Sequence, residues 1–423
     1  MLRFNKNGLL ETWFTTCISL VIIIFYGCRR GSEAGRKEND MKNNDSSIIY
    51  SFNRELLKKH TKIIELSSGK SALIIVPAWQ GRVMTSTAGG KDGYSFGWIN
   101  HKLIALGRIQ EHINAFGGEE RFWIGPEGGQ FSVFFPAGSE FTYENWQTPP
   151  VIDTDPYEIA EQSDRHVLFR KNASLVNYSG FRFDIGIERR VTLLNSGDLP
   201  LLLSVQSDNM ESVAYRSDNT IINRGSAGWK KETGLLSVWM LSMLNPSPDV
   251  TVVIPVREGD EYKLGPVVND NYFGKISPDR LRATNSHVFF KADGNSRGKI
   301  GIPPLRTKGV MGSYDFKNNI LTLVFCELPE GETAYVNSSW EIQQSPYSGD
   351  AFNSYNDGPL ADGTRMGPFY ELETSSPAAM LEPGQNLTHS QTIVHITGPR
   401  GKMEKLVLKT LGVTPETIEK AFK

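Results

Sequence analysis

Apolar and polar residues alternate with a period of two along much of the chain after Ile48, and short apolar runs end in turns. In residues 181–187 the apolar side chains stand at every second position, which is typical of a strand with one buried face. A hairpin is predicted where residues 62–66 and 71–76 flank the turn 67–70. Further strands are predicted at 201–205, 235–241, 250–256, 288–291, 320–327, 333–342 and 391–396.

Helical periodicity is restricted to residues 54–60 and 414–423, where Thr414 is placed to cap a helix and Pro415 to begin it. Alternating strands and helices are missing, and so is a glycine-rich phosphate loop, which argues against a nucleotide-binding α/β fold. Because so many strands cannot form one flat sheet, two packed sheets are expected. The predicted class is all-β: a large antiparallel β-sandwich over residues 49–400, followed by a short C-terminal helical extension at 401–423.

The first 28 residues have the pattern of a secretory signal. Arg3 and Lys6 precede an apolar run over residues 13–26, which is short for a membrane span and ends in Gly27-Cys28. The final Gly-Cys resembles the lipobox of bacterial lipoproteins, in which the cysteine becomes the lipidated first residue. The alternative is an uncleaved anchor. We therefore expect a lipoprotein signal peptide at 1–28, lipidation at Cys28, a polar tether at 29–48 and an outer-membrane location, on the periplasmic or the cell-surface side.

Charge and cysteine content narrow the function classes. The 45 Lys and Arg residues face 47 Asp and Glu residues, so there is no cationic excess of the kind that binds nucleic acid. The three cysteines, Cys17, Cys28 and Cys326, cannot form a disulfide framework or a cysteine-based metal site. No cofactor is expected, although a predicted oxygen-rich turn with Asn353, Asn356 and Asp357 could hold Ca²⁺. The alternative is that these side chains bond the backbone of their own turn.

Residues 112–130 combine five glycines and a proline with acids, Arg121, His112 and aromatic rings. Sugar recognition needs such a mixture, because rings cover the apolar face of a sugar while arginine and carboxylates bind its hydroxyl groups. The predicted binding residues are Asn114, Glu119, Arg121, Trp123, Glu127, Gln130 and, from a following segment, Trp146. The alternative is a glycine-rich crossover with core aromatics and surface ion pairs.

In a second segment, residues 367–385, Glu371 and Glu373 alternate with Tyr370, Leu372 and Thr374. A strand would point both carboxylates to one face, where they repel each other unless a polar or cationic group lies opposite. The segment is therefore either a solvated edge or the wall of a site in which one acid has a raised pKa.

Leu372-Glu373-Thr374 and the following Leu381-Glu382-Pro383-Gly384-Gln385 resemble the closing segment of galactose mutarotase-like (aldose 1-epimerase-like) proteins. The resemblance implies that Glu373 is a catalytic base. Gly117-Gly118 with Trp123 and Pro126-Glu127 similarly resembles the block that lines the sugar cleft in those proteins. More closely, residues from about 50 to 398 resemble a family of uncharacterised Gram-negative lipoproteins, on segments that include 80–87 and 96–100.

A mid-chain histidine motif of mutarotases is missing here, so the second proton-transfer group has to be another residue. His112 and Glu371 are the catalytic candidates beside Glu373, and Glu119 is a further acid. Three functions stay open: a carbohydrate-active enzyme (an isomerase, glycoside hydrolase or lyase), a non-catalytic sugar-binding lipoprotein, and a structural lipoprotein. Buried Glu and Arg side chains are costly unless they pair or bind, which favours the first two functions.

Overall fold

Strands outnumber helices in the structure, a computed structural model that describes residues 46–203, 210–360 and 362–423. The strands are β1 Ile64–Ser68, β2 Ser71–Val76, β3 Arg82–Thr87, β4 Arg121–Gly125, β5 Glu158–Gln162, β6 His166–Val176, β7 Arg182–Leu193, β8 Glu211–Asn223, β9 Ser237–Leu244, β10 Val250–Pro255, β11 Leu281–Ala283, β12 His287–Lys291, β13 Gly298–Ile302, β14 Val310–Asp315, β15 Ile320–Cys326, β16 Phe352–Asn356, β17 Tyr370–Ser375 and β18 Asn386–Thr397. The helices are α1 Tyr50–His60, α2 His101–Leu106, α3 Leu199–Leu203, α4 Glu261–Leu264, α5 Arg400–Leu411 and α6 Pro415–Glu419.

Antiparallel pairing joins these strands into two large sheets and one small one. The larger sheet has ten strands in the order β11-β12-β10-β14-β15-β18-β8-β7-β6-β5, and the second has five in the order β13-β16-β17-β9-β4. Strands β1, β2 and β3 form the small sheet. The predicted all-β class with large antiparallel sheets is confirmed. The predicted signal peptide, Cys28 and most of the tether lie outside the described residues.

A continuous apolar core joins the two large sheets. Phe122, Met240 and Leu372 of the five-stranded sheet share it with Ile187 and Tyr215 of the ten-stranded sheet. Alternate residues along β4, β9 and β17 therefore face the core, and the residues between them face away from the ten-stranded sheet. This second face of the five-stranded sheet carries the candidate site.

The C-terminal helices cover the other face of the ten-stranded sheet. Met403 and Leu406 of α5 pack in one buried cluster with Leu321 and Leu323 of β15. Both faces of β10 and β15 are thus buried, which explains their nearly continuous apolar runs. As predicted, α6 begins at Pro415 and is capped by Thr414, whose hydroxyl accepts a hydrogen bond from the Thr417 amide at 3.2 Å.

Three local predictions were wrong. Residues 201–203 of the predicted strand 201–205 belong to helix α3, in which Leu199 and Leu203 lie four residues apart and pack in the α5 cluster. Residues 333–342 form no strand; they form an irregular segment in which Glu332 accepts hydrogen bonds from the amides of Thr333 and Ala334. The predicted turn at 353–357 is mainly strand β16. Among the described residues, none of the helices is long and apolar enough to cross a membrane.

Candidate functional site

A cavity of about 460 Å³ lies over the second face of the five-stranded sheet. This volume is in the range of small-molecule binding sites, roughly 300–1,000 Å³. The floor consists of alternate residues from neighbouring strands: Arg121, Trp123, Trp239, Leu241, Met243, Lys299, Tyr355 and Glu371. Loops supply the walls and rim: Ile113, Glu127, Tyr143, Trp146, Phe273, Arg297, Trp340, Asp357, Gly358, Leu360, Thr364, Arg365, Met366 and Phe369.

Strand register explains why charged groups meet on this floor. Glu373 of β17 pairs with Leu241 of the neighbouring strand β9, and Leu241 pairs in turn with Arg121 of β4. On the other side, Glu371 pairs with Tyr355 of β16, which pairs with Lys299 of β13. Directly paired residues point to the same face of a sheet, so all of these side chains share the cavity face.

The two glutamates on β17 are each paired with a cation from an opposite side of the sheet. A guanidinium nitrogen of Arg121 donates to Oε1 of Glu371, and Lys299 Nζ lies 2.9 Å from Oε2 of Glu373. Arg121 is aligned across the strands with Glu373 but bonds Glu371. Lys299 is aligned with Glu371 but bonds Glu373. The cationic groups that two like charges on one strand face require are therefore present.

Burial shifts the proton affinity of two acids in the cavity wall. It raises the pKa of Glu371 to about 7, an effect that the nearby Glu373 strengthens and Arg121 opposes. It also raises the pKa of Glu127 to about 6, while Lys299 lowers it and Glu373 raises it. Both acids can therefore gain or lose a proton near neutral pH, which is the property that acid–base catalysis needs.

Indole rings line both the floor and the wall of the cavity. Trp146 stacks against Trp340 with ring centroids 6.0 Å apart, and Trp123 meets Trp239 edge-on at 5.4 Å. Trp239 donates from Nε1 to Oε2 of Glu373 at 2.9 Å. The buried Nε1 atoms of Trp123 and Trp146, and Oε1 of Glu373, have no hydrogen-bond partner in the described part of the chain. Buried polar atoms of this kind usually have partners. Trp123 and Trp146 line the cavity, whereas Glu373 lies beneath it.

The structure divides the residues predicted from the sequence into two groups. Arg121, Trp123, Glu127, Trp146 and Glu371 line the cavity. Glu373 lies on the same sheet face, fully buried, where Lys299 and Trp239 hold one of its carboxylate oxygens. His112 lies behind the rim, with Nδ1 at 2.7 Å from the Trp146 carbonyl oxygen and its ring near Tyr143.

Three predicted binding residues lie outside the cavity lining and bond within the protein instead. The Asn114 side chain donates to the Asp153 carboxylate at 2.8 Å. Glu119 accepts hydrogen bonds from Ser86 and bonds Nε2 of His395 at 2.8 Å. Gln130 exchanges two hydrogen bonds with the backbone of Gln343. These three side chains link neighbouring segments of the fold.

Several cavity residues were not predicted from the sequence, chiefly Lys299, Trp239, Trp340 and Arg297. Trp239 lies in a predicted strand, so its alternation with the core residues Val238 and Met240 was a usable signal. Lys299 had no comparable signal, because its role depends on which strands pair with β13.

The three side chains that were predicted to be able to hold Ca²⁺, those of Asn353, Asn356 and Asp357, each bond a different part of the protein. Asn353 donates to the Tyr272 hydroxyl, while Asn356 bonds the Ser296 carbonyl oxygen and the Gly294 amide. Asp357 accepts a hydrogen bond from the Tyr355 hydroxyl. In the described ranges, no cluster of three or more His, Cys, Asp or Glu side chains is arranged to hold a metal ion.

Comparison with solved structures finds proteins of low sequence identity. A protein from Synechocystis sp. PCC 6803 is 14% identical, covering 80% of this chain and 96% of its own, with a TM-score of 0.47. A putative aldose 1-epimerase from Escherichia coli K12 is 10% identical over 79% of this chain and 98% of its own, with a TM-score of 0.46. A galactose mutarotase-like protein from Lactobacillus casei is 13% identical over 79% and 100%, with a TM-score of 0.43.

At these identities and TM-scores, the similarities carry no conclusion about activity or substrate. No curated protein matches the sequence significantly. A family model matches residues 49–422, which include all the strands, both C-terminal helices and every residue of the cavity lining. The chain belongs to this family, which is the family of unknown function DUF6786.

Proposed function

We propose that the protein binds a carbohydrate in the cavity over the five-stranded sheet. The observation that carries the proposal is the meeting of indole rings with two buried ion pairs, Arg121–Glu371 and Lys299–Glu373, on the face of the sheet that lies under the cavity. Indole rings cover the C–H face of a sugar, and the charged groups bind its hydroxyls. The unpartnered donors on Trp123 and Trp146 add to this match with a ligand that accepts hydrogen bonds.

A purely structural role accounts less well for this arrangement. Two buried ion pairs cost desolvation energy that a simple apolar core would not incur, and unpartnered buried N–H groups add to that cost. Apolar side chains in place of the two ion pairs would stabilise the folded protein without this desolvation cost. Unlike the fully buried Glu120–Arg189 pair, which joins the two sheets, the Arg121–Glu371 pair lines a cavity, and a bound ligand accounts for its charges there.

Acid–base chemistry at a sugar carbon is the activity that the cavity favours. Opening a sugar ring at the anomeric carbon requires a base to take the anomeric hydroxyl proton and an acid to protonate the ring oxygen as the C–O bond breaks. Glu371 lines the cavity with a pKa of about 7, and Glu127 faces it with a pKa of about 6. Glu373, the base that the mutarotase resemblance implies, lies two residues from Glu371 on the same face.

In this mechanism Glu371 and Glu127, which both line the cavity, exchange protons with the sugar, while Arg121 and Lys299 stabilise the charges that form. The same set of acids would also serve a glycoside hydrolase, which needs two carboxyl groups at the bond that breaks. Binding without turnover is the alternative, and the protein would then be a glycan-binding component of the cell envelope.

Binding is tested by screening the chain against mono- and oligosaccharides for a rise in melting temperature, since a ligand of the folded state stabilises it by mass action. Trp340→Ala removes a half-buried ring of the wall and should weaken the binding of any hit by about tenfold. Tyr262→Ala, at a side chain that is 97% exposed and outside the cavity lining, is the control. The proposal fails if no sugar stabilises the protein, or if Trp340→Ala binds every hit as the wild type does.

Turnover is tested separately with a sugar that binds. Exchange between its two anomers, or cleavage of its glycosidic bond, is followed by proton NMR with wild type and Glu371→Gln. Loss of the reaction in the variant with retained binding supports acid–base catalysis at Glu371. Binding without reaction in the wild type favours the non-catalytic alternative.

We further propose that Cys28 carries a lipid anchor that holds this cavity at the outer membrane. The support is the sequence pattern, in which a short apolar run ends in Gly27-Cys28 and a polar tether follows. Incorporation of labelled palmitate into the full chain in a Gram-negative host, and its loss in Cys28→Ala, is the expected result. An unlabelled wild-type chain would contradict it.

A further inference from the structure

Two arginines lie at the mouth of the cavity, Arg297 before β13 and Arg365 before β17, and both side chains are exposed. Arg365 donates to the Gly294 carbonyl oxygen at 3.4 Å, three residues before Arg297. This contact places both residues on the same stretch of the rim. Among the described residues, neither arginine has an acidic side chain within ion-pair distance, in contrast to Arg121 and Lys299 on the floor.

Arg297 is held in place without using its hydrogen-bond donors. The guanidinium lies over the Phe273 ring at 4.0 Å from its centroid, and Phe273 in turn meets Tyr355 edge-on at 6.0 Å. The side chain makes no hydrogen bond to the described part of the protein. A stacked guanidinium keeps its planar set of N–H donors free for a ligand, and that set matches the oxygens of a carboxylate or a sulfate.

The acids near these arginines are already engaged by other groups. Asp357 accepts hydrogen bonds from the Tyr355 hydroxyl at 2.7 Å and the Gly367 amide at 3.0 Å. Asp362 accepts from the amide and hydroxyl of Thr364. Asp293 takes two hydrogen bonds from Arg280, at 2.6 and 3.1 Å. Neither Arg297 nor Arg365 therefore has a salt-bridge partner in the described chain, although the carboxyl groups of Asp357 and Glu127 lie near enough to Arg297 to interact with it electrostatically.

We propose that the ligand of the cavity is an acidic carbohydrate, whose carboxylate or sulfate group is bound at the mouth by Arg297 and Arg365. This inference rests on the proposed sugar-binding function and adds the class of sugar. The indole wall and the charged floor bind the neutral part of the ring. The two mouth arginines bind the acidic substituent and select against the uncharged parent sugar.

The test compares pairs of sugars that differ only in the acidic group, by titration calorimetry on the full chain. The probes are galactose, galacturonate and galactose 6-sulfate, together with glucose, glucuronate and glucose 6-sulfate. The variants are Arg297→Gln and Arg365→Gln. Arg282→Gln is the matched control, because Arg282 is an exposed arginine on β11, outside the cavity lining.

The expected result is that one acidic probe binds at least about tenfold more tightly than its parent sugar, since charge-assisted hydrogen bonds to arginine have this strength. Arg297→Gln and Arg365→Gln should each reduce this preference, by lowering the affinity for the acidic probe more than the affinity for its parent sugar, while Arg282→Gln changes neither affinity. A preference for the carboxylate over the sulfate, or the reverse, identifies the acidic group.

Two outcomes overturn the inference, and they can be told apart. If parent and acidic sugars bind equally well, the acidic class is wrong; if the preference survives in both variants, the two mouth arginines do not bind the acidic group. In either case the sugar-binding function stands. If no sugar of either kind binds the wild type, the proposed function fails and the inference fails with it.

Discussion

Replacing Glu371 with glutamine should change the stability of the protein in a way that depends on pH. Burial on the cavity floor raises the pKa of Glu371 from its ordinary value of 4.5 to about 7, although Arg121 opposes the shift. Between these two values the unfolded chain has lost the proton and the folded chain still holds it. The unfolded state then binds fewer protons, so the free energy of unfolding falls as the pH rises through this window.

The size of the effect follows from the pKa difference. At about 1.36 kcal/mol for each pH unit, a rise of the pKa from 4.5 to about 7 corresponds to about 3 kcal/mol of lost stability, most of which develops between pH 5 and pH 8. Glutamine resembles the protonated acid and does not titrate. The stability of Glu371→Gln relative to wild type should therefore rise by about 2–3 kcal/mol between pH 5 and pH 8, because the wild type loses stability over this range and the variant does not.

Urea unfolding of both proteins at pH 5, 6, 7 and 8 measures this difference directly. The other buried acids, such as Glu127, titrate in both proteins, so their contributions cancel in the comparison to the extent that they act independently of Glu371. Glu404→Gln, at an exposed position of α5, is the control and should show no trend with pH. A difference that stays within about 0.5 kcal/mol across the series, or one that falls as the pH rises, would mean that pairing with Arg121 outweighs burial.

Arg121→Lys should weaken the binding of any sugar that the wild type binds by about tenfold in calorimetry, because lysine lacks the planar fork of donors; an unchanged Kd would remove Arg121 from the ligand contacts. Glu120→Gln should lower the free energy of unfolding by about 3–5 kcal/mol, since it leaves the fully buried guanidinium of Arg189 without its counter-charge. Its control, Glu188→Gln, breaks the exposed pair with Arg170 and should cost under about 1 kcal/mol, and equal losses would contradict this reasoning. Gly117→Ala should cost at least about 2 kcal/mol more than Gly180→Ala in urea unfolding. Both glycines have positive φ, but a Cβ at Gly117 would lie 2.1 Å from the Trp98 carbonyl oxygen and one at Gly180 has no neighbour within 4 Å; similar costs would show that φ alone matters.

Alternation along single strands made much of the fold and part of the site predictable. The pattern of Tyr370, Leu372 and Thr374 placed Glu371 and Glu373 on one strand face, and β17 has this arrangement. The repulsion between the two acids also indicated that polar or cationic groups had to lie opposite. The identity of one of them, Lys299, depends on the pairing of β13 with β16 and of β16 with β17. A single sequence contains no record of that pairing, so it could not be predicted.

Short apolar runs were the main source of error. Residues 201–205 were predicted as a strand from their apolar content, yet residues 201–203 belong to helix α3, in which Leu199 and Leu203 both pack in the α5 cluster. The choice between strand and helix for five apolar residues is made by tertiary packing. Residues 333–342 show the converse case, since they carry strand-forming residues but form the irregular wall that contributes Trp340 to the cavity.

The segment Glu119-Glu120-Arg121 shows why composition alone could not separate binding residues from structural ones. Alternation along β4 turns Arg121 and Trp123 toward the cavity and Phe122 toward the core. Glu120, just before the strand, bonds Arg189, Ser217 and Gln391 of the ten-stranded sheet.

Glu119 likewise bonds His395 of β18. The two acids thus fasten this segment to the larger sheet through buried polar contacts, and these contacts fix where β4 presents Arg121 to the cavity. Joining the sheets and the proposed recognition of a sugar would both use charged side chains here, so a cluster of charges in the sequence predicts both roles. Only the direction in which each side chain points shows which of the two roles it has. Glu120 and Arg121 are neighbours in the sequence, yet they point to opposite sides and therefore have different roles.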